Sequence, residues 1–332
     1  MKRGKTIFLT HIVLLASICL FSAGQAETAQ TGKNQFPGKA IQITVPANPG
    51  GDTDMTARFI AKEMEPDLGV SIPIVNMAGA AGALATNDIL ASPADGYKVL
   101  YFHTDTIVSN LLGVSKNRWS DTFEIAAIPS YVENFGMFTT ADKPFGDVQS
   151  LIAYAKDPNH KKLIYSTDMG SINQVLGRAF QKLTGVEFIE VDGGNASNRV
   201  AALLGKQIDL VCLPYSSGAE YVKNGDFKCL GLIASERNSF IPDIPTFKEQ
   251  GVDLAYNKFF FFGFKKGTPK EIVKRFANAV EKACKSPDYA KNLQKYQMVP
   301  HFLDAEAATL FMKERESEYQ KYVELAGMTK KQ

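Results

Sequence analysis

An α/β protein of more than one domain, built on mostly parallel sheets flanked by helices, is what this sequence predicts. Three observations carry the prediction. Short apolar runs of period 2 alternate along the chain with runs of helical spacing, and glycine-rich turns join them. The length of 332 residues is long for one core and makes two domains the expectation. Hydrophobic residues at 45% and charged ones at 22% are average for globular chains, which excludes disordered, collagenous and multi-span membrane classes. With Lys+Arg 37 against Asp+Glu 35 the charge is too even for phosphate neutralisation, so no nucleic-acid partner is expected.

The first 26 residues read as a secretory signal peptide. Lys2, Arg3 and Lys5 precede the uncharged apolar run from Ile7 to Phe21, and Gly24 and Ala26 place small residues at −3 and −1 of a cleavage site. A spanning helix needs about 20 apolar residues, more than this run supplies. Lipid attachment at Cys19 is disfavoured because the bulky Ile18 precedes it. Removing the segment leaves 34 basic against 35 acidic residues, and a periplasmic, nearly neutral mature protein is expected.

After a polar leader, Ile41, Ile43 and Val45 mark a strand, Asn48-Pro49-Gly50-Gly51 a turn, and Asp54 to Met64 a helix stopped by Pro66. The plan repeats: strand Ile72 to Val75, turn Ala78 to Gly82, helix Ala83 to Leu90, breaker Pro93, then strand Tyr97 to Phe102. In the middle, strand Leu163 to Ser166 leads through Thr167 to Ser171 into helix Ile172 to Leu183, closed by Gly185. Strand Phe188 to Val191 leads through Gly193-Gly194 into a helix around Ser197 to Leu204. Phe259 to Phe262 is a continuously apolar strand buried on both faces. Ile272, Phe276, Val280 and Cys284 recur at i, i+4 on a helix from Pro269 to Lys285, and a last helix runs from Ala305 to Ala326.

Motifs for catalysis and metal binding are missing. His11, His103, His160 and His301 are scattered; there is no HExxH, GxSxG, P-loop, CxxC or full GxGxxG. No catalytic residue, metal or cofactor is expected, and the protein is read as not an enzyme. The mature chain keeps Cys212, Cys229 and Cys284. Cys212 and Cys229 lie in strand-like segments, which permits a bridge between neighbouring strands; buried free thiols are the favoured reading.

Ile43-Thr44-Val45-Pro46 leading into Gly50-Gly51-Asp52-Thr53-Asp54 and Ala57-Arg58 resembles the opening loop of the periplasmic receptors of tripartite tricarboxylate transporters, the Bug family. Val75-Asn76 with Gly79-Ala80-Ala81-Gly82, and Pro93-Ala94-Asp95-Gly96-Tyr97, are similar to its next signatures. Leu204 to Asp209, Arg237 with Ile241 to Thr246 and Glu249, and Gly267-Thr268-Pro269 follow in the family's order, so the resemblance covers the chain from Phe36. It implies a two-lobed type II periplasmic binding-protein fold of the Venus flytrap kind, with the ligand cleft between lobes. Lobe 1 is expected from 36–127 and 258–332, lobe 2 from 128–257, with hinge crossings near Ile128 to Val132 and Asn257 to Phe260. It further implies capture of a small organic acid and its delivery to the large and small membrane subunits of a transporter, by a monomer. A periplasmic adaptor for a sensor kinase is the alternative.

A physical account of the site needs only the turns. A helix N-terminus offers unpaired N–H groups and roughly half a positive charge, and no basic residue lies between Ala47 and Asp54 or between Asn76 and Leu90. A carboxylate held by main-chain amides alone is therefore expected at Asn48, Gly50 and Gly51 with Asp52 and Asp54, and at Ala78, Gly79, Ala80 and Ala81. His103 and Thr104 follow the third strand. From the second lobe, Ser166, Thr167, Gly170 and Ser171, then Asp192 and Gly193, complete the candidate set. The resemblance gives Asp54 the role of ordering water against the ligand. The sequence departs from the family at Glu190-Val191, where Pro-Tyr is common, and at Asp192 beside the glycines. Asp52, Asp54, Asp105, Asp168 and Asp192 gather at strand ends. Either they face a polar or cationic group, as in an amino or hydroxy acid, or they cap helices.

Overall fold

A computed structural model describes residues 36–329 apart from 133. The signal-peptide reading of residues 1–26, with Cys19 and His11, lies outside the described residues.

Two sheets organise the chain. The first contains β1 (Gln42–Val45), β2 (Ile74–Asn76), β3 (Lys98–His103), β4 (Phe123–Val132), β10 (Lys258–Lys265) and β11 (Val299–Leu303), in the order β11-β4-β10-β3-β1-β2. The second contains β5 (Phe135–Thr140), β6 (Ile164–Thr167), β7 (Ile189–Asp192), β8 (Leu210–Pro214) and β9 (Phe227–Leu232), in the order β7-β6-β8-β5-β9. β1 pairs parallel with β2 and β3, and β6 parallel with β7 and β8. Each sheet also takes in an inserted antiparallel strand, β10 between β3 and β4 and β5 between β8 and β9, and β11 runs antiparallel to β4 at the edge of the first sheet, so the sheets are mixed while most strands share a direction. These insertions occur because the chain passes between sheets after Val132 and again after Leu232, and each crossing strand enters its new sheet reversed.

The predicted βα rhythm is present, with shifted boundaries. Helix α1 (Asp52–Leu68) runs through Pro66 and stops at Gly69, whose left-handed φ of 71° lets its N–H reach Glu65 O. Pro66 falls in the last turn, where its missing N–H removes one hydrogen bond without breaking the rod. Helix α2 (Ala83–Ala91) follows β2 through a tight turn at Ala80–Gly82. Helix α6 (Ile172–Thr184) is closed by Gly185 as expected, and α7 (Ala196–Leu204) follows β7.

The β10 phenylalanines serve two cores. Phe260, Phe262 and Phe264 pack with Ile43, Ile60 and Phe276 on one face, while Phe259 and Phe261 pack with Phe102, Trp119 and Phe123 on the other. Helix α9 (Lys270–Cys284) buries Val273, Phe276, Ala277, Val280 and Ala283, with Ile272 and Cys284 half-buried at the margins. Strict i+4 spacing drifts about 40° per step around a helix of 3.6 residues per turn, so only the middle two predicted positions are central. Helix α11 (Ala305–Leu325) packs on β4, on α3 (Asp105–Leu111) and on α6, and thereby touches elements of both sheets. Its Tyr319 hydroxyl donates to Asn257 O at 2.6 Å, tying the helix to the returning chain.

Cys212 and Cys229 are free, buried thiols on β8 and β9, which are separated by β5 and so are not neighbours. Burial pushes both up to about 12.

Candidate functional site

A cleft of about 980 Å³ opens at the carboxyl ends of the central parallel strands of both sheets, the position that βα units favour for ligands. The first-sheet wall comprises Pro46 to Asp52 after β1 and Ala78 to Gly82 after β2, with Phe102, His103 and Asp105 from the end of β3. The second-sheet wall comprises Asp168, Ile172 and Asn173 after β6, Asn195 to Ser197 and Arg199 after β7, and Pro214, Ser216 and Ser217 after β8. Five helices, α1, α2, α6, α7 and α8 (Tyr215–Asn224), thus bring their N-termini to one space.

The two glycine turns are shaped to present amides. Gly50 takes φ of 86°, which glycine adopts without cost. From Gly79 to Gly82 every residue has positive φ, including Ala80 at 48° and Ala81 at 50°, alanines in a conformation costing roughly 1–2 kcal/mol each. A Cβ on Gly82 would lie 2.5 Å from a Phe102 ring carbon, so only glycine lets the turn pack on β3. Among the described residues, the amides of Gly51, Asp52, Ala80 and Ala81 have no acceptor. The Gly50 amide does have one, Asp54 Oδ2 at 2.9 Å.

Of the predicted residues, Asn48, Gly50, Gly51, Asp52, Ala78, Gly79, Ala80, Ala81 and His103 line the cleft. Asp54 does not: 1% exposed, it accepts from Gly50, from Asn76 Nδ2 at 2.8 Å and from Arg58 Nε at 3.1 Å, bracing one glycine turn against the strand that leads to the other. Thr104 is buried away from the lining against the Tyr256 hydroxyl. Ser166 and Thr167 are buried beneath the wall. Gly170 donates to Gln174 Oε1, and Ser171 caps α6 by accepting from the Asn173 amide. Asp192 accepts from the Gly194 amide, and Gly193 donates to Thr167 O.

Basic side chains, outside the expected set, stand in the cleft beside the main-chain amides. Lys258, 7% exposed, and Arg199, 3% exposed, both line the cleft. Neither is near the turns in sequence: Lys258 opens the returning strand β10 and Arg199 lies in the first half of α7. A basic residue heading the phenylalanine run was the one visible signal. Lys258 Nζ meets Asp52 Oδ2 at 2.7 Å. Burial pushes the Asp52 carboxyl up, but Lys258, His103 and the Thr53 amide outweigh it and hold it below the ordinary range.

His103 is held well below its ordinary pKa by burial and by Lys258, so the ring is neutral. Its Nδ1 accepts from the Asp105 amide at 3.3 Å, which leaves the proton on Nε2. Asp105 is raised from 3.8 to about 6 by burial and by Asp168, against Lys258, the Ile172 amide and Arg199. Asp168 is raised by burial and Asp192, against Arg199. A carboxyl whose folded pKa lies above its unfolded value binds more protons when folded, so its contribution falls as pH rises from 3.8 to about 6. Asp105→Asn is expected to remove this slope and to gain on the order of 2 kcal/mol at pH 7, after discounting for its 21% side-chain exposure. Urea denaturation at pH 4, 5, 6 and 7 checks it; equal pH dependence in both proteins refutes it.

Two α/β lobes of this strand order, with backbone-lined turns and helix N-termini facing a cleft, define a two-lobed binding protein of the periplasmic type. The chain belongs to the tripartite tricarboxylate transporter family receptors, whose model matches residues 56–328. The resemblance to the Bug family is thereby borne out. BugT of Bordetella pertussis is 26% identical over 278 residues, covering 82% of this chain and 85% of that one. A protein of R. palustris solved with adipate superposes with a TM-score of 0.81 at 23% identity, covering 89% of this chain and 99% of that chain. MatC of Rhodopseudomonas palustris, solved with malate, gives 0.76 at 24% identity, covering 87% and 100%. Among the described residues no helix is long and apolar enough to cross a membrane.

Proposed function

We propose that this protein is an extracytoplasmic receptor that captures a small organic acid in the cleft and delivers it to the large and small membrane subunits of a tripartite tricarboxylate transporter. The observation that carries this reading is the pair of glycine turns, whose unpartnered amides at Gly51, Asp52, Ala80 and Ala81 meet at the N-termini of α1 and α2. Such amides and the helix dipoles suit a carboxylate. Relatives in fold carry adipate and malate in their structures, which supports the same ligand chemistry here.

The ligand's remaining part faces polar side chains. Asp105 Oδ1 and Asn173 Oδ1 are buried acceptors without a partner, which favours a hydroxyl or amine hydrogen on the ligand, as in a hydroxy or amino acid. Asp52 and Asp54 are already paired with Lys258 and Arg58, and Asp192 lies outside the lining of the cleft. The lobes that close on the ligand are taken as 36–132 with 258–332, and 133–257, because β4 belongs to the first sheet as far as Val132 and not only to 127, and the working unit is a monomer. The role is binding without turnover.

Calorimetric titration with adipate, malate, citrate and aspartate tests the proposal. Saturable 1:1 binding of at least one acid, recovered unchanged, is expected, with a stabilisation of about 2.7 kcal/mol at a hundredfold excess over Kd. Absence of binding by every acid, or its conversion, refutes the receptor reading.

A further inference from the structure

A second recess, of about 880 Å³, lies at the end of the first sheet opposite the cleft. It takes in Lys266, just past the end of β10, whereas the cleft takes in Lys258 at the start of that eight-residue strand, roughly 23 Å away. Its floor is a bare strand edge. On one side β4 has β10 along its length, but on the other β11 pairs with it only from Ile128 to Tyr131. After Leu303 the chain leaves as α11, so among the described residues no strand flanks Phe123 to Ala127 on that side.

The ladder shows which main-chain groups this leaves open. The Lys266 amide donates to Thr122 O at 2.9 Å, and antiparallel pairs alternate, so Glu124 turns its N–H and C=O toward β10 while Phe123 and Ile125 turn theirs to the recess. The Phe123 amide is taken by Trp119 O; the Ile125 amide and both carbonyls have no partner among the described residues. Such an edge is a template for one more strand. Helices α9 and α11 flank it without closing over it, with Val273 and Ala277 on one side and Thr309 and Lys313 on the other.

Charge selects the occupant. Most acids of the recess are engaged: Glu124 pairs with Lys266 at 3.5 Å, Glu281 with Lys285 at 2.7 Å, and Asp304 caps α11 by accepting from the Glu306 and Ala307 amides. Lys270, Lys274 and Lys313, all exposed, form no ion pair with a described carboxylate, and Glu306 is the one lining acid left uncommitted among the described residues.

We propose that this recess binds an extended acidic segment of a partner protein, which adds as a strand beside Phe123 to Ala127, sets apolar side chains against Val273 and Ala277, and places carboxylates among Lys270, Lys274 and Lys313. Every lining residue belongs to the first-sheet lobe, so this contact does not depend on an acid in the cleft.

The test uses peptides of about seven residues that alternate Val with Glu or Val with Lys. The wild-type protein should bind the Val–Glu peptide about tenfold more tightly than the Val–Lys peptide, as expected for three solvent-facing ion pairs. Reversing Lys270, Lys274 and Lys313 together to Glu should invert that order. Main-chain N-methylation of the valines alone or of the glutamates alone blocks one strand edge each, and one of the two forms should lose binding while the other keeps it. Hydrogen exchange of the Ile125 amide should slow in the Val–Glu complex. If the triple variant fails to fold, the wild-type peptide and exchange measurements decide. Absence of binding, equal affinity for the two peptides, indifference to both methylated forms or unchanged Ile125 exchange overturns the inference. Dimerisation of the wild type that the charge reversal abolishes gives the recess to a second copy and overturns it as well. The acid titrations of the cleft test the receptor reading separately.

Discussion

Gly51→Val is expected to weaken carboxylate binding at least about 100-fold, equivalent to about 2.7 kcal/mol, with a melting temperature within about 2 °C of the wild type. The separation of the two effects follows from the backbone. Gly51 sits at φ −75° and ψ 169°, extended backbone open to any residue, and the nearest atom to an added Cβ is Asn48 O at 3.7 Å. The fold therefore accepts a side chain. The ligand does not, because Gly51 is the N-cap of α1, lines the cleft, and holds one of the free amides. A branched side chain there occupies the space in which an anion reaches those donors. Gly50 and Gly82 could not make the same test, since their φ of 86° and 88° would mix backbone strain into the result. Titration calorimetry and a thermal melt on one preparation suffice; unchanged affinity in the folded variant would place the ligand elsewhere.

Lys258→Met should destabilise the protein by about 3 kcal/mol at pH 7, the low end for a broken buried ion pair because Asp52 keeps 16% of its side chain exposed. Without Lys258 the Asp52 carboxylate is desolvated and uncompensated. The pH dependence changes sign as well. In the wild type the Asp52 carboxyl is held below 3.8, so its contribution is present above pH 3.8 and is lost as pH falls through the lower folded value. In the variant burial dominates and raises the carboxyl, so stability is regained on acidification from neutrality. Asp52→Asn in the Lys258→Met background should recover most of the loss, which a double-mutant cycle by urea denaturation reads directly. Simple additivity of the two substitutions would show that the pair is not coupled.

Elements with strong local signals are legible in the amino-acid sequence. The β10 phenylalanines mark a strand buried on both faces because their side chains alternate into two cores. Gly185 ends α6 because its left-handed conformation suits glycine. Pro66 misleads, since its effect depends on how much helix remains beyond it, and here Gly69 supplies the true stop. On the second wall the sequence points to the right segments, Asn195 among them, but favours residues that shape the backbone, Ser171, Asp192 and Gly193, over Asn173 and Arg199, which line the cleft. A capping residue and a lining residue lie one or two positions apart on a helix's first turn, and helical geometry alone does not tell them apart.

What the sequence determined by itself is the local chemistry: strands, helices, and two turns whose glycines permit positive φ and close approach, all properties of a few consecutive residues. Only the tertiary structure decided the charge of the cleft. Lys258 lies 206 residues from Asp52 and reaches it because β10 inserts beside β3, and Arg199 arrives from helix α7, which follows β7 of the other sheet. Electrostatic energy depends on distance in space and on burial, and chain separation encodes neither until the sheets have formed.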